Sequence, residues 1–272
     1  MAKRLTAAQK RRKDESYKAI RNIAVIVLLL SVVGYFWFRA VASHRSLDEV
    51  TLCPVDPGSV AVLLVDVTDP MNLPQRQDFS NQLDRLIDEI PRYGKLTIAK
   101  VDPVGDRLLT PVITRCNPGS GRDVSDVDGN PAQLQKMRQE QFLEPLRASL
   151  DSVLAASGAE QSPILEAIQS VNLTELQRAD DKDTPKRLII ASDLLQNTGQ
   201  ISFYGKLPDA RNLTGSQQFS RVRTDLRGVG IDLWMLQRDD STTTQPRALP
   251  DLWERIIDEQ GGKVMRVYVV SG

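Results

Sequence analysis

A charge-free apolar run, IAVIVLLLSVVGYFWF at Ile23–Phe38, limits this chain more than any other feature. Extended to Ala42 it counts about 20 residues, and at about 1.5 Å per helical residue that crosses roughly 30 Å of hydrocarbon. Arg39 then reaches back to the interface, and Tyr35, Phe36, Trp37 and Phe38 crowd the end where an aromatic belt sits. The formal net charge of zero hides an asymmetry. Lys3, Arg4, Lys10, Arg11, Arg12, Lys13, Lys18 and Arg21 precede the run against only Asp14 and Glu15, so the remainder is net acidic. A basic tail beside a spanning segment predicts residues 1–22 in the cytoplasm and everything after about Ser43 outside. These cations attract anionic lipid, at about 1 kcal/mol each, and nucleic acid is not the expected partner. A cleaved signal is the rival reading, because Ala40-Val41-Ala42 has the form of a cleavage site. The tail and apolar core are long for a signal and bulky aromatics abut the site, which favours an anchor at 23–42. Both readings export the rest of the chain.

That rest, roughly 225 residues, is enough for one α/β domain with a sizeable core. Residues 43–58, with Pro54, Pro57 and Gly58, read as a tether, and 59–272 as the domain. Ser59–Val65 is a continuous apolar run, as in a strand buried on both faces. Phe79, Leu83, Leu86, Ile87 and Ile90 recur at helical spacing. Lys95–Val101 and Leu108–Arg115 read as strands joined by a DPVGD turn, with Pro111 pushing the second to a sheet edge. Helices are expected at Pro131–Ala156, Ser162–Val171 with Ser162 as N-cap, Gln217–Leu226 and Pro250–Gln260, the last stopped by Gly261-Gly262. Further strands are expected at Arg187–Ala191, Gly230–Leu236 and Lys263–Val270, and residues 194–216 read as a polar surface loop. The predicted class is α/β: a mostly parallel central sheet with one antiparallel edge strand and helices on both faces, preceded by one transmembrane helix. Cys53 and Cys116 both fall in the exported part and are expected to form a disulfide, the alternative being two unpaired thiols.

Ligands of an open parallel sheet sit at the carboxyl ends of its strands. One such end reads Asp66-Val67-Thr68-Asp69-Pro70, a later one Ser192-Asp193, and Ser162 opens a helix between them. Carboxylates and hydroxyls converging on one point suit a hard cation such as Mg2+. At these residues the chain resembles the von Willebrand factor A (vWA) domain, whose metal-ion-dependent adhesion site has the pattern Asp-x-Ser-x-Ser, a Thr in a later loop and an Asp after the fourth strand. Asp66 matches the first Asp, Thr68 the first Ser, Ser162 the Thr and Asp193 the last Asp. The resemblance covers about 59–270 and implies Mg2+ or Mn2+ on those four residues. Pro70 stands where the second Ser belongs and offers no ligand, so a degenerate site is expected, with a functional one as the alternative. Leu52-Cys53-Pro54, Asn117-Pro118-Gly119, Ser162 to Ile168 and Ser192 to Gln196 also resemble a group of uncharacterised bacterial membrane-anchored proteins. That resemblance implies a bacterial inner-membrane address, with a periplasmic or extracellular domain.

Catalysis finds little support. Asp66 as a phosphate-attacking nucleophile lacks a second Asp two positions on, where Thr68 stands. The single histidine, His44, lies in the tether, which leaves no base for a triad. A phosphate-binding glycine loop and a zinc-spaced cluster are absent. The expected function is a membrane-anchored, non-catalytic module that binds a protein partner. The alternatives are a phosphate-ester hydrolase using Asp66 and a structural subunit of an envelope complex. Asn172 and Asn212 begin the triplets of glycosylation acceptors.

Overall fold

The computed structural model describes residues 7–43, 46–68, 70–101, 108–125, 129–155, 158, 160–177, 183–238 and 245–271. Asp69, His44 and the turn expected at 102–106 lie outside the described residues. The chain divides into two compact units, Met1–Ser46 and Leu47–Gly272. The first is one helix, α1, Ala7–Ser43. Its stretch Ser16–Phe38, of 23 residues, contains an 18-residue window of mean hydropathy 2.1 and is long and apolar enough to cross a membrane.

The second unit is built on β1 (Val60–Val65), β2 (Lys95–Lys100), β3 (Ile113–Cys116), β4 (Lys186–Ser192), β5 (Val229–Leu236) and β6 (Lys263–Val270). They form one sheet of order β3-β2-β1-β4-β5-β6. All neighbours run parallel except β2 and β3. The α/β class with one antiparallel edge strand is therefore the observed one. Helices cover both faces: α2 (Leu73–Glu89), α3 (Pro131–Met137), α4 (Glu144–Ala155), α5 (Ile164–Val171), α6 (Ala210–Thr214), α7 (Gln217–Val222) and α8 (Leu249–Asp258). A π-helical stretch, Arg138–Leu143, joins α3 to α4, and another, Asn172–Leu176, extends α5.

The continuous apolar run of β1 follows from its central place. Val60, Val62 and Leu64 enter one core, with α5, α7 and α8. Ala61, Leu63 and Val65 enter the other, with Phe79, Leu83 and Leu86 of α2 and Leu146 and Leu150 of α4. Burying one such side chain contributes about 1.5–3 kcal/mol, so a polar residue at any position of this strand is expected to cost stability. A capping box fixes the start of α2: Asn72 accepts from the Gln75 N–H, and the Gln75 side chain accepts from the Asn72 N–H. Gly261 ends α8 at φ 80°, in the left-handed region that glycine enters freely.

Several expectations need correction. The strand expected at 108–115 shortens to Ile113–Cys116, because Pro111 has no N–H to pair. Ser162 does not cap α5; Pro163 stands at the N-cap, without a side-chain bond. The helix expected at 217–226 stops at Val222. Residues 194–216 are not a polar surface loop, since Leu194, Leu195, Gln196, Ile201, Phe203 and Leu213 are buried there. Part of the expected tether packs on the domain: the Thr51 carbonyl accepts from the Cys116 N–H at 2.8 Å, and Leu52 is buried. The Cys53–Cys116 disulfide is present, with α-carbons 4.8 Å apart, inside the reach of such a bond. Asn172 is buried and donates to Thr224 Oγ1 at 2.7 Å, which removes it as a glycosylation acceptor; Asn212 is exposed.

Candidate functional site

From β1 the chain crosses to β2 on one side, and it later returns to β4 on the other. The carboxyl ends of β1 and β4 therefore flank a point where the connections diverge, which opens a crevice in a parallel sheet. The register places Val65 beside Ala191, and the Asp66 N–H donates to the Ala191 carbonyl at 2.8 Å. Asp66 and Ser192 are thereby neighbours across the strand ends.

Both carboxylates are buried, Asp66 at 3% exposure and Asp193 at 5%. Asp66 Oδ1 accepts from the Thr68 N–H at 3.1 Å. Asp66 Oδ2 accepts from the Ser162 hydroxyl and, at 2.9 Å, from the Ser192 hydroxyl. The Ser192 oxygen also lies 3.4 Å from Asp193 Oδ1, so the two acids stand on either side of one hydroxyl, whose proton goes to Asp66. Asp193 Oδ1 accepts from the Leu195 N–H at 2.9 Å, and Asp193 Oδ2 from Arg238 Nε at 2.6 Å. Burial pushes the Asp193 carboxyl up to about 6; the Asp66 charge adds to this, while the Leu195 N–H and Arg238 oppose it.

Asp66, Ser162 and Asp193 thus meet as expected from the sequence. Thr68 contributes its backbone N–H to the same cluster. Arg238, Tyr204 and Gln245 were not anticipated, and Ser192 was named at its strand end without a role. Arg238 follows the carboxyl end of β5, the next strand along, and that position was a readable signal. Leu194 is a second surprise. It has φ 63°, although leucine pays about 1–2 kcal/mol for that region. Its N–H donates to Ser192 Oγ at 2.9 Å, and its carbonyl accepts from the buried Trp253 Nε1 at 2.8 Å. Gln196 completes the turn, accepting from the Leu165 N–H and donating to Glu166, both at 2.9 Å.

The oxygen set has the chemistry of a Mg2+ site, but its arrangement does not fit a resident dication. Asp193 Oδ2 is committed to a guanidinium, both Asp66 oxygens accept protein donors, and Pro70 supplies no ligand. Among the described residues no group of three His, Cys, Asp or Glu could hold a metal. The arrangement stores a buried acid pair, partly neutralised, at a strained strand end.

No protein-family model and no curated protein matches this chain. Solved structures do. Proximal thread matrix protein 1 from the mussel byssus matches at 11% identity and TM-score 0.42, over 78% of this chain and 44% of that one. The likeness thus spans less than half of the mussel protein. An aerotolerance-related membrane protein from Bacteroides fragilis matches at 12% and 0.35, over 79% and 92%. BatB from Bacteroides thetaiotaomicron, described as a conserved hypothetical protein, matches at 12% and 0.38, over 78% and 91%. At such identities the likeness concerns the fold alone.

Proposed function

We propose that this chain is a membrane-anchored, vWA-like module that binds another protein at the Asp66–Asp193 rim and performs no catalysis. One observation carries the reading. Asp66, Ser162, Ser192, Asp193 and Arg238 are drawn together, beside a left-handed Leu194, at the divergence point of the sheet. Leucine and tyrosine take the same left-handed conformation at Leu52 and Tyr93 on the opposite pole, so it is the buried charged cluster beside Leu194, rather than the backbone strain, that sets this rim apart.

The place of the rim within the globular unit adds support. The chain joins the globular unit at Leu47, on the pole where Cys53 is bonded to Cys116 and Cys116 pairs with Lys95 at the amino end of β2. The acid rim lies at the opposite ends of the strands. The basic tail favours a cytoplasmic N-terminus and a domain on the far side of a bacterial inner membrane, where an oxidising compartment suits the disulfide. The hydrolase alternative gains nothing from the site, because both oxygens of the would-be nucleophile Asp66 accept hydrogen bonds and no histidine other than His44 exists.

Photo-cross-linking in native membranes tests this reading. A photoreactive residue at Lys206, exposed in the same loop as Tyr204, is expected to capture a protein partner. The same residue at Val55, 86% exposed on the opposite pole, is expected to capture none. Equal capture from both positions removes the rim from the reading. Turnover of a generic phosphate ester that vanishes in Asp66→Asn replaces the reading with the hydrolase.

A further inference from the structure

We infer that Arg238 is a built-in counter-ion that takes the place of a divalent cation at this rim, so that the site is assembled and operates without metal. The inference concerns the same site but does not depend on the identity or chemistry of the partner. Asp66 and Asp193 are both buried and flank the Ser192 oxygen, at 2.9 and 3.4 Å. Two carboxylates this close in a low-dielectric crevice repel strongly unless a positive charge lies between or beside them. A dication is one solution. This chain supplies another: Arg238 Nε lies 2.6 Å from Asp193 Oδ2, with the two side chains 12% and 6% exposed.

The arginine is held in place from several directions, unlike a loose surface side chain. Its Nη2 donates to the Tyr204 hydroxyl at 2.9 Å, and its guanidinium carbon lies 5.5 Å from the centre of the Tyr204 ring. Its backbone N–H donates to Gln245 Oε1 at 3.0 Å. The Nε2 of that same glutamine donates to the Asp193 and Leu236 carbonyls, both at 2.9 Å. One glutamine thus fixes the acid and the base relative to each other. A cation drawn to Asp193 Oδ2 must displace a desolvated, charge-assisted bond. Regulation of this rim by divalent cations is therefore not expected.

The probe is Mn2+ alone, added to the full chain in detergent. The native chain is expected to melt at the same temperature in chelator and in millimolar Mn2+. Arg238→Gln is expected to melt about 5 °C lower in chelator, since it leaves a buried charge unpaired, and to recover most of that loss in Mn2+. Arg238→Lys keeps the charge and is expected to remain indifferent to Mn2+. Saturable micromolar Mn2+ binding by the native chain in calorimetry overturns the inference. So does an Arg238→Gln chain whose lowered midpoint Mn2+ does not restore, which reduces the arginine to packing. Should Arg238→Gln fail to fold, the native calorimetry decides by itself. None of these results alters the cross-linking from Lys206 and Val55, which judges the protein-binding reading separately.

Discussion

The two poles of the sheet each hold an arginine against a buried aspartate, and they use the pair differently. Near the amino ends, Arg187 of β4 donates to Asp232 of β5 through Nε, at 2.9 Å, and Nη2, and to Glu89 at the end of α2 through Nη1. Arg266 of β6 adds a contact to Glu89 at 3.2 Å. This network ties three strands to a helix, and its residues sit within regular elements. At the carboxyl ends, Arg238 and Asp193 stand just past their strands, beside two serine hydroxyls and a left-handed leucine. The first pair holds elements together. The second gathers two buried carboxylates and a guanidinium in a turn past the strands, whereas left-handed backbone occurs at both poles, at Leu52 and Tyr93 as well as at Leu194. The same side-chain chemistry therefore reads as scaffold when it bridges strand interiors and as a site when it gathers at strand ends where connections diverge.

The sharpest way to break this contrast is Arg187→Ala. It leaves Asp232, 1% exposed, without its counter-charge, and a loss of about 3–5 kcal/mol in denaturant titration is expected. Cross-linking from Lys206 should persist in whatever fraction folds. A smaller loss than that of any rim variant would reverse the roles assigned to the poles.

Replacing Cys53 and Cys116 together by serine is expected to cost about 2–4 kcal/mol, because the bond closes a loop with a sequence separation of 63. The effect belongs to the amino pole. A change in rim cross-linking without a change in stability would show that the poles are coupled.

The rim is expected to respond to pH. The Asp193 carboxyl is raised to about 6 in the fold from an unfolded value of 3.8. The folded state then binds the proton more tightly than the unfolded state. Its contribution to stability is full below pH ~4 and is lost as pH rises through about 6. Stability is expected to increase by about 1 kcal/mol between pH 7 and pH 5, and Asp193→Asn should flatten that slope. A native chain that loses stability over this interval contradicts the assigned environment.

The smallest expected effect is Tyr204→Phe. It removes the hydroxyl that accepts from Arg238 but keeps the ring, and a cost of about 0.5–1.5 kcal/mol in thermal denaturation is expected. A cost as large as that of Arg187→Ala would mean that the rim pair is scaffold too.

Much of this molecule was legible in its residues. The long apolar N-terminal helix, the strands at Val60–Val65 and Lys263–Val270, the long amphipathic α2 and the antiparallel edge are all written in local pattern. Such patterns follow from the periods of helix and strand, which neighbouring residues define among themselves. The proximity of Asp66 and Asp193 was legible too, because the carboxyl ends of neighbouring parallel strands share one edge.

Tertiary structure alone decided what those residues do. Ser162 was read as a cap because serine before proline at a helix start usually is one; its hydroxyl turns instead to Asp66, 96 residues away. Asp193 was read as a metal ligand, yet the fold buries it and gives it Arg238, 45 residues on. Residues 194–216 looked polar, but enough apolar side chains lie among them to be drawn over the core once β4 and α8 are in place. The physical reason is the same each time. Periodicity depends on the chain's own geometry, whereas the partner of a polar side chain depends on which distant segment the completed sheet brings to within about 3 Å.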